Sequence, residues 1–301
     1  MSCPLCLNEK VIELELIDHN KLVQRYRQLT GTDFTHLLDQ DLKYCECQNC
    51  RLRYYAPLLT GDETFYNALQ RFEWYYMDEK EEFKEAIKQI TPTDRVLEIG
   101  SGKGAFAKHL PTNDYTGLDF SKKAKEIAAQ NGIKIENEMI QDFADKHPGT
   151  FDVVVSFQVL EHVSDPKCFI ESQIKALTKG GKLIIAVPSE DSFLKYVTNG
   201  ILNMPPHHVT RWSDTTLKFI AEQYNLEVID IHHEKVQKVH KQWCLSTFIQ
   251  TALLKTKVLD DSLVRKLVAR AAELFSKVLV KGLKDELLPN GHTVIAIYKK
   301  K

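Results

Sequence analysis

Between Asp94 and Leu110 the chain reads DRVLEIGSGKGAFAKHL: a short apolar run, a glycine-rich turn, then residues at helical spacing. Val96, Leu97 and Ile99 suit a parallel strand covered on both faces. Gly100, Gly102 and Gly104 allow the backbone to turn sharply and approach a ligand with no Cβ in the way. Any strand-to-helix turn uses glycine, so the turn alone is weakly informative. Glu98 inside the strand and the acid Asp119 about 20 residues on make it specific. Together they predict a ligand that carries a ribose.

From this point strands and helices alternate, which predicts a parallel sheet with helices on both faces. The expected strands are Arg95–Ile99, DYTGLD ending at Asp119, 133–139, FDVVVSF and KLIIAVP. The expected helices are SKKAKEIAAQNG, closing on Gly132, and one from Pro166 to Leu177 with Gly180-Gly181 as its stop. After the loop NMPPHHVTRWS come helix DTTLKFIAEQYN and strand LEVIDIHHEKV. The alternation breaks at about Lys241, where some 45 residues read as helix before a last strand, HTVIAIYK. Leu263, Leu267, Ala271, Leu274 and Val278 form a stripe expected to be packed core, a dimer face or substrate lid being the alternative.

Five of the seven cysteines lie in the first 50 residues. Cys3/Cys6 and Cys47/Cys50 are two C-x-x-C knuckles, which together make a tetrahedral sulfur site suited to structural zinc. The stretch between them is longer than the roughly 15 to 20 residues usual in such ribbons, and a helical insert from about Lys21 to Asp41 accounts for it. Cys45 is the spare thiol. The region 63–92 reads as a helical connector rich in aromatics, from which Tyr75 or Tyr76 is a candidate to reach the ligand. The expected division is therefore 1–62, a zinc-ribbon-like module; 63–92, the connector; and 93–301, the main domain with a helical insertion at about 241–289.

Forty basic and 41 acidic side chains leave a net charge of −1, which is no global footprint for nucleic acid. The segment MSCPLCLNEK lacks the apolar core of a signal peptide. No apolar run approaches the roughly 18 to 20 residues of a membrane helix. A cytoplasmic location, without membrane association, is expected.

A dinucleotide fold uses its glycine turn for a pyrophosphate. A carboxylate just before the first glycine opposes a pyrophosphate but suits an ammonium group. The matching ligand is a nucleoside carrying an amino acid, which describes S-adenosylmethionine. On VLEIGSGKG, GLDFS, IQDF, FDVVVSFQVLEHVSDP and LTKGGKLIIAVP, in that order, the chain resembles the Rossmann-like S-adenosylmethionine-dependent methyltransferases. The resemblance covers about 74–236 plus the last strand. It implies an α/β, doubly wound, mostly parallel sheet whose last strand is antiparallel. It also implies that Glu98, Gly100, Ser101, Gly102 and Gly104 line the methionine end of the cofactor. Asp119 would accept both ribose hydroxyls, with Phe120 beside the adenine. Asp142 would take the adenine amino group, the Phe143 backbone a ring nitrogen, and Phe157 and Gln158 would sit near the sulfonium.

Methyl transfer to a hydroxyl requires alignment and removal of a proton. An ordinary histidine pKa near 6.5 suits such a base, and the candidates are His162, His207 and His208. Arg211 and Trp212 are candidates to clamp an anionic or sugar ligand. Some ubiquinone-pathway O-methyltransferases have an acid at the place of Gln158 that contributes to a metal site; Gln158 here argues against a second, catalytic metal. The paired knuckles are similar to those of bacterial sugar methyltransferases and of a ribosomal-RNA methyltransferase group with an amino-terminal zinc finger. The near-neutral charge and the loop PPHHVTRWS favour the first, so the expected acceptor is a small molecule, a hydroxyl of a sugar or glycan precursor. The alternative is an RNA methyltransferase that binds RNA through its zinc module. A homodimer through the C-terminal helices is a further expectation.

Overall fold

The computed structural model describes residues 2–69, 71–72, 80–284, 286 and 288–301. Tyr75 and Tyr76 lie outside the described residues. The chain begins with β1 (Val11–Ile17), α1 (His19–Thr30), β2 (Leu42–Cys47), β3 (Arg53–Ala56), α2 (Glu63–Leu69) and α3 (Glu81–Ile87). It continues through β4 (Val96–Ile99), β5 (Tyr115–Leu118), α4 (Lys122–Gln130), β6 (Ile135–Glu136), α5 (Ile140–Lys146), β7 (Phe151–Phe157), α6 (Pro166–Ala176) and β8 (Leu177–Pro188). Then follow β9 (Thr210–Arg211), α7 (Asp214–Gln223), β10 (Leu226–Lys235), α8 (Lys241–Leu253), α9 (Leu263–Leu279) and β11 (Asn290–Lys300).

The main sheet has the order β10-β11-β8-β7-β4-β5-β6. β8, β7, β4, β5 and β6 run parallel, and β11 is antiparallel to both its neighbours. All four residues of β4 are buried, as its near-continuous apolar run requires of a central strand. The strand order reverses between β4 and β7, and open α/β sheets bind ligands outside the carboxyl ends of strands at such a point. Helix starts follow local rules: Ser121, Asp165 and Ser213 each cap a helix through the side chain, and Pro166 occupies the first turn of α6.

Several expectations are corrected. The helix expected after the glycine turn is a single 3-10 turn, Phe106–His109. Pro111 pushes Leu110 out of the helical region (φ −71°, ψ 142°) and ends it. The third strand shrinks to Ile135–Glu136. Gly180 and Gly181 do not stop α6, which ends at Ala176; they lie inside β8, where the pairing with β7 shifts register. The stripe on α9 is not packed core: Leu263, Leu267, Leu274 and Val278 are each more than half exposed. Ser276 and Ala272 supply the buried face of that helix instead.

The N-terminal strands form an antiparallel sheet of order β1-β2-β3-β9. Its fourth strand comes from the loop after β8, so the small sheet is finished by the main domain. Glu46 and Glu190, Arg53 and Arg211 make the junction: Arg53 donates to both carboxylates at 2.7 Å. Arg211 lies over the rings of Tyr44 and Tyr55 at 5.1 and 5.9 Å and donates to the Asn203 carbonyl. Trp212 is fully buried and donates to the Thr210 hydroxyl at 3.0 Å. Arg211 and Trp212 are therefore joints of the fold rather than a ligand clamp, a correction that follows from their burial.

Candidate active site

The glycine turn lies at the carboxyl end of β4. Gly100, Gly102 and Gly104 have φ of 73°, 53° and 75°, a region that side chains with a Cβ rarely adopt. A Cβ on Gly100 would stand 2.4 Å from Val159 Cγ2, so the turn packs directly under the loop that leaves β7. Across the β4–β5 pair, Gly117 opposes Glu98. Its missing side chain makes room for the hydroxyls of Ser101 and Tyr115, which a Cβ there would approach to 2.6 and 2.9 Å.

Glu98 is 3% exposed and accepts a hydrogen bond from the Tyr115 hydroxyl at 2.5 Å. Burial pushes its carboxyl up to about 8, against the pull of that hydrogen bond. Asp119 accepts the backbone N–H of Gly102 and of Ser121, each at 2.8 Å. Burial raises its pKa and those two N–H groups lower it. Phe120 is 66% exposed beside it, and Asp142 is exposed in the first turn of α5. These positions form one rim at the carboxyl ends of β4, β5 and β6.

Two residues expected at the rim are placed differently, and a third stays there. The backbone N–H of Phe143 donates to the Met139 carbonyl at 3.0 Å, so α5 consumes the donor meant for adenine. The Phe143 ring is buried against His147 and Phe151. Phe157 is buried among Phe83 and Phe106, at centroid distances of 5.0 and 4.9 Å, and so belongs to the core under the site. Gln158 stays at the mouth, with φ of 56° and its amide donating toward Thr293 Oγ1 at 3.4 Å. Burial raises the pKa of the nearby Glu82 carboxyl, and the Gln158 amide acts to lower it.

The three candidate histidines converge, although 45 residues separate His162 from His207. One ring nitrogen from each lies within 4.8 Å of the others. His162 sits on the 3-10 turn Leu160–His162 after β7, and His207 and His208 sit in the loop that leads to β9. Val209 N–H donates to the Glu161 carbonyl at 2.9 Å and joins the two loops. Burial lowers the pKa of His162 to about 4 and those of His207 and His208 well below their ordinary value. Glu161, 1% exposed, is pushed up to about 8 by burial. The Tyr66 ring of α2 covers the cluster, 5.9 Å from His162 and 6.2 Å from His207.

Tyr115, Glu82 and Tyr66 were not singled out by sequence. Tyr115 alone carried a signal: it precedes Gly117 by one side-chain repeat, on the face of β5 that opposes Glu98.

The four knuckle sulfurs also converge. Cys3 and Cys50 Sγ are 3.5 Å apart, as are Cys6 and Cys47 Sγ, and all four fall within 4.8 Å. Zinc–sulfur bonds of about 2.3 Å in a tetrahedron separate sulfurs by roughly 3.8 Å, so the donor set fits zinc. Cys45 is buried outside the cluster, near the Lys43 carbonyl.

A family model described as "Methyltransferase domain" matches residues 69–231. The uncharacterized protein MJ1123 of Methanocaldococcus jannaschii is 42% identical over 110 residues, covering 36% of this chain and 52% of that protein. The ubiquinone biosynthesis O-methyltransferase of Pectobacterium atrosepticum is 28% identical over 146 residues, covering 40% and 61%. The chain thus spans about half to three fifths of the length of these two relatives. Among solved structures, a SAM dependent methyltransferase from Archaeoglobus fulgidus superposes with a TM-score of 0.52 at 18% identity. That match covers 79% of this chain and all of the other, and concerns the fold.

Proposed function

Because the chain belongs to the Rossmann-like S-adenosylmethionine-dependent methyltransferases, we propose that it transfers a methyl group to an oxygen of a small-molecule acceptor. The observation that carries this is the buried Glu98 carboxylate at the mouth of a glycine cradle, one strand from Asp119. S-adenosylmethionine brings a methyl group on a positively charged sulfur, together with an ammonium group and a ribose. Glu98 would hold the ammonium group and Asp119 the ribose, while Gly100, Ser101, Gly102 and Gly104 leave room for the amino-acid end. Phe120 and Asp142 would flank the adenine, and Gln158 would stand at the methyl end.

Asp119 already receives two backbone N–H groups, which preorganise its oxygens on the rim. On the acceptor side, His162, His207 and His208 would handle the proton of the hydroxyl. Oxygen as the acceptor atom is supported by the ubiquinone biosynthesis O-methyltransferase relative. Within that class we favour a sugar or glycan-precursor hydroxyl over RNA, on the near-neutral net charge of the chain. The knuckles Cys3, Cys6, Cys47 and Cys50 would hold a structural zinc with no position left for substrate. The division at 62 and 92 is the arrangement we propose for these parts. Among the described residues no helix is long and apolar enough to cross a membrane. A cytoplasmic location is in keeping with seven free thiols.

Calorimetry with S-adenosylmethionine is the first test, and absence of heat would overturn the cofactor reading. The second is methyl transfer to a panel of sugar, nucleotide-sugar and phenolic hydroxyls. Replacing His162 by Ala should lower turnover by about 100-fold or more while cofactor affinity changes little. Equal loss of both would remove the histidines from the acceptor side.

A further inference from the structure

We propose that His162, His207 and His208, with Glu161, form a second metal site for a divalent first-row transition ion. The first ground is the orientation of the rings. His162 Nδ1 lies 2.6 Å from the His207 carbonyl oxygen, and His207 Nδ1 lies 2.7 Å from the Leu202 carbonyl oxygen. His208 Nδ1 lies 3.1 Å from Asn203 Oδ1. An oxygen acceptor at Nδ1 requires the proton there, so each ring offers the lone pair of Nε2. This is how the outer contacts of metal-bound imidazoles fix their tautomer.

The second ground is the carboxylate. Neither oxygen of Glu161 has a hydrogen-bond partner among the described residues, although the side chain is 1% exposed. A buried carboxylate with no donor is costly, and native structures supply a partner. Its Oε1 lies 3.8 Å from His162 Nε2 and 3.9 Å from His208 Nε2, too far for a hydrogen bond and suited to an ion between them. Bonds of about 2.0 Å in a tetrahedron place donors roughly 3.3 Å apart, near the 3.8 and 3.9 Å that separate Glu161 Oε1 from Nε2 of His162 and His208.

Three imidazoles and one carboxylate select zinc, iron, cobalt or nickel rather than magnesium or calcium, which prefer all-oxygen shells. The expectation drawn from Gln158 weighed donors on the loop after β7 alone; here two of the donors would come from a second loop, which tertiary structure brings to Glu161. On the methyltransferase reading above, an ion that takes all three Nε2 lone pairs would itself lower the pKa of an acceptor hydroxyl, binding it by expansion beyond four donors, so the histidines would act through the ion and not as free bases. The site itself does not depend on which acceptor is used.

The test is metal counting on the full chain by mass spectrometry, with X-ray absorption to identify the neighbours of each ion. Wild type, grown with added zinc or cobalt, should carry an ion whose shell holds only nitrogen and oxygen. Because the four cysteines would hold an ion of their own, the cobalt form of Cys47→Ser, and not of wild type, should show cobalt absorption without sulfur charge transfer. His208→Ala and Glu161→Gln should each lose that ion, and Cys47→Ser should keep it. Wild type with no nitrogen–oxygen ion, or one retained by both variants, overturns the proposal. The wild-type spectra decide even if a variant fails to fold. Loss of methyl transfer with the ion retained would bear on the acceptor reading alone.

Discussion

His162 donates through Nδ1 to the carbonyl oxygen of His207 across 2.6 Å, so one histidine of the cluster is held by the backbone of another. The bond ties the loop after β7 to the loop that finishes the N-terminal sheet as β9. The acceptor side of the site is therefore coupled to the small sheet and its four cysteines.

Asp119 serves the turn and, on the reading proposed above, would also hold the ribose. Its carboxylate holds the Gly102 and Ser121 N–H groups, so Asp119→Ala removes a cofactor contact and leaves two backbone donors without a partner. Hydrogen bonds to charged groups are each worth about 1.5 to 3 kcal/mol. Calorimetry should show the affinity for S-adenosylmethionine falling by roughly 10- to 100-fold or more, and thermal unfolding should show a lower midpoint.

Glu98 makes both stability and cofactor binding depend on pH. Its folded pKa, about 8, lies above its unfolded value near 4.5, so the folded chain holds the extra proton between those values. Its contribution to stability is full below about pH 4.5 and is lost as pH rises through 8. Cofactor binding runs the other way, because an ammonium group favours the carboxylate. Between pH 5.5 and 7.5 the affinity should therefore rise, by at most about tenfold per unit. Glu98→Gln should flatten that slope and weaken binding, and should gain stability relative to wild type near pH 8. A wild-type affinity independent of pH would count against the pairing.

For the knuckles, Cys47→Ser should release the sulfur-bound ion and loosen the sheet of β1, β2 and β3. Metal analysis should show that ion lost, and scanning calorimetry a midpoint lower by about 10 °C. A variant with unchanged stability would make the four cysteines a redox set rather than a structural site.

The outer face of α9 exposes Leu263, Leu267, Leu274, Phe275 and Val278. If this face is an association surface, as the expectation of a homodimer through the C-terminal helices requires, its occupant is a second copy of the chain. Leu267→Glu with Leu274→Glu should shift sedimentation from dimer to monomer and leave the far-ultraviolet spectrum unchanged. A wild-type monomer at high concentration would end that expectation.

The sequence by itself determined the sheet and its ligand end. β7 falls on FDVVVSF because a strand buried on both faces needs a near-continuous apolar run, here broken only by Asp152 and Ser156. Gly100, Gly102 and Gly104 announce a turn because left-handed backbone angles penalise every residue with a Cβ. The paired C-x-x-C knuckles are equally local, each placing two sulfurs on one tight turn. Periodicity on α9 was legible, but it records which face is apolar and not what covers it. Long-range packing alone decided the rest. It buried Arg211 and Trp212 in a joint, turned Phe157 into the core, and brought Glu161 and His162 against His207 and His208. No local pattern encodes that meeting, because it depends on a two-residue strand pairing with β3 from the far side of the chain.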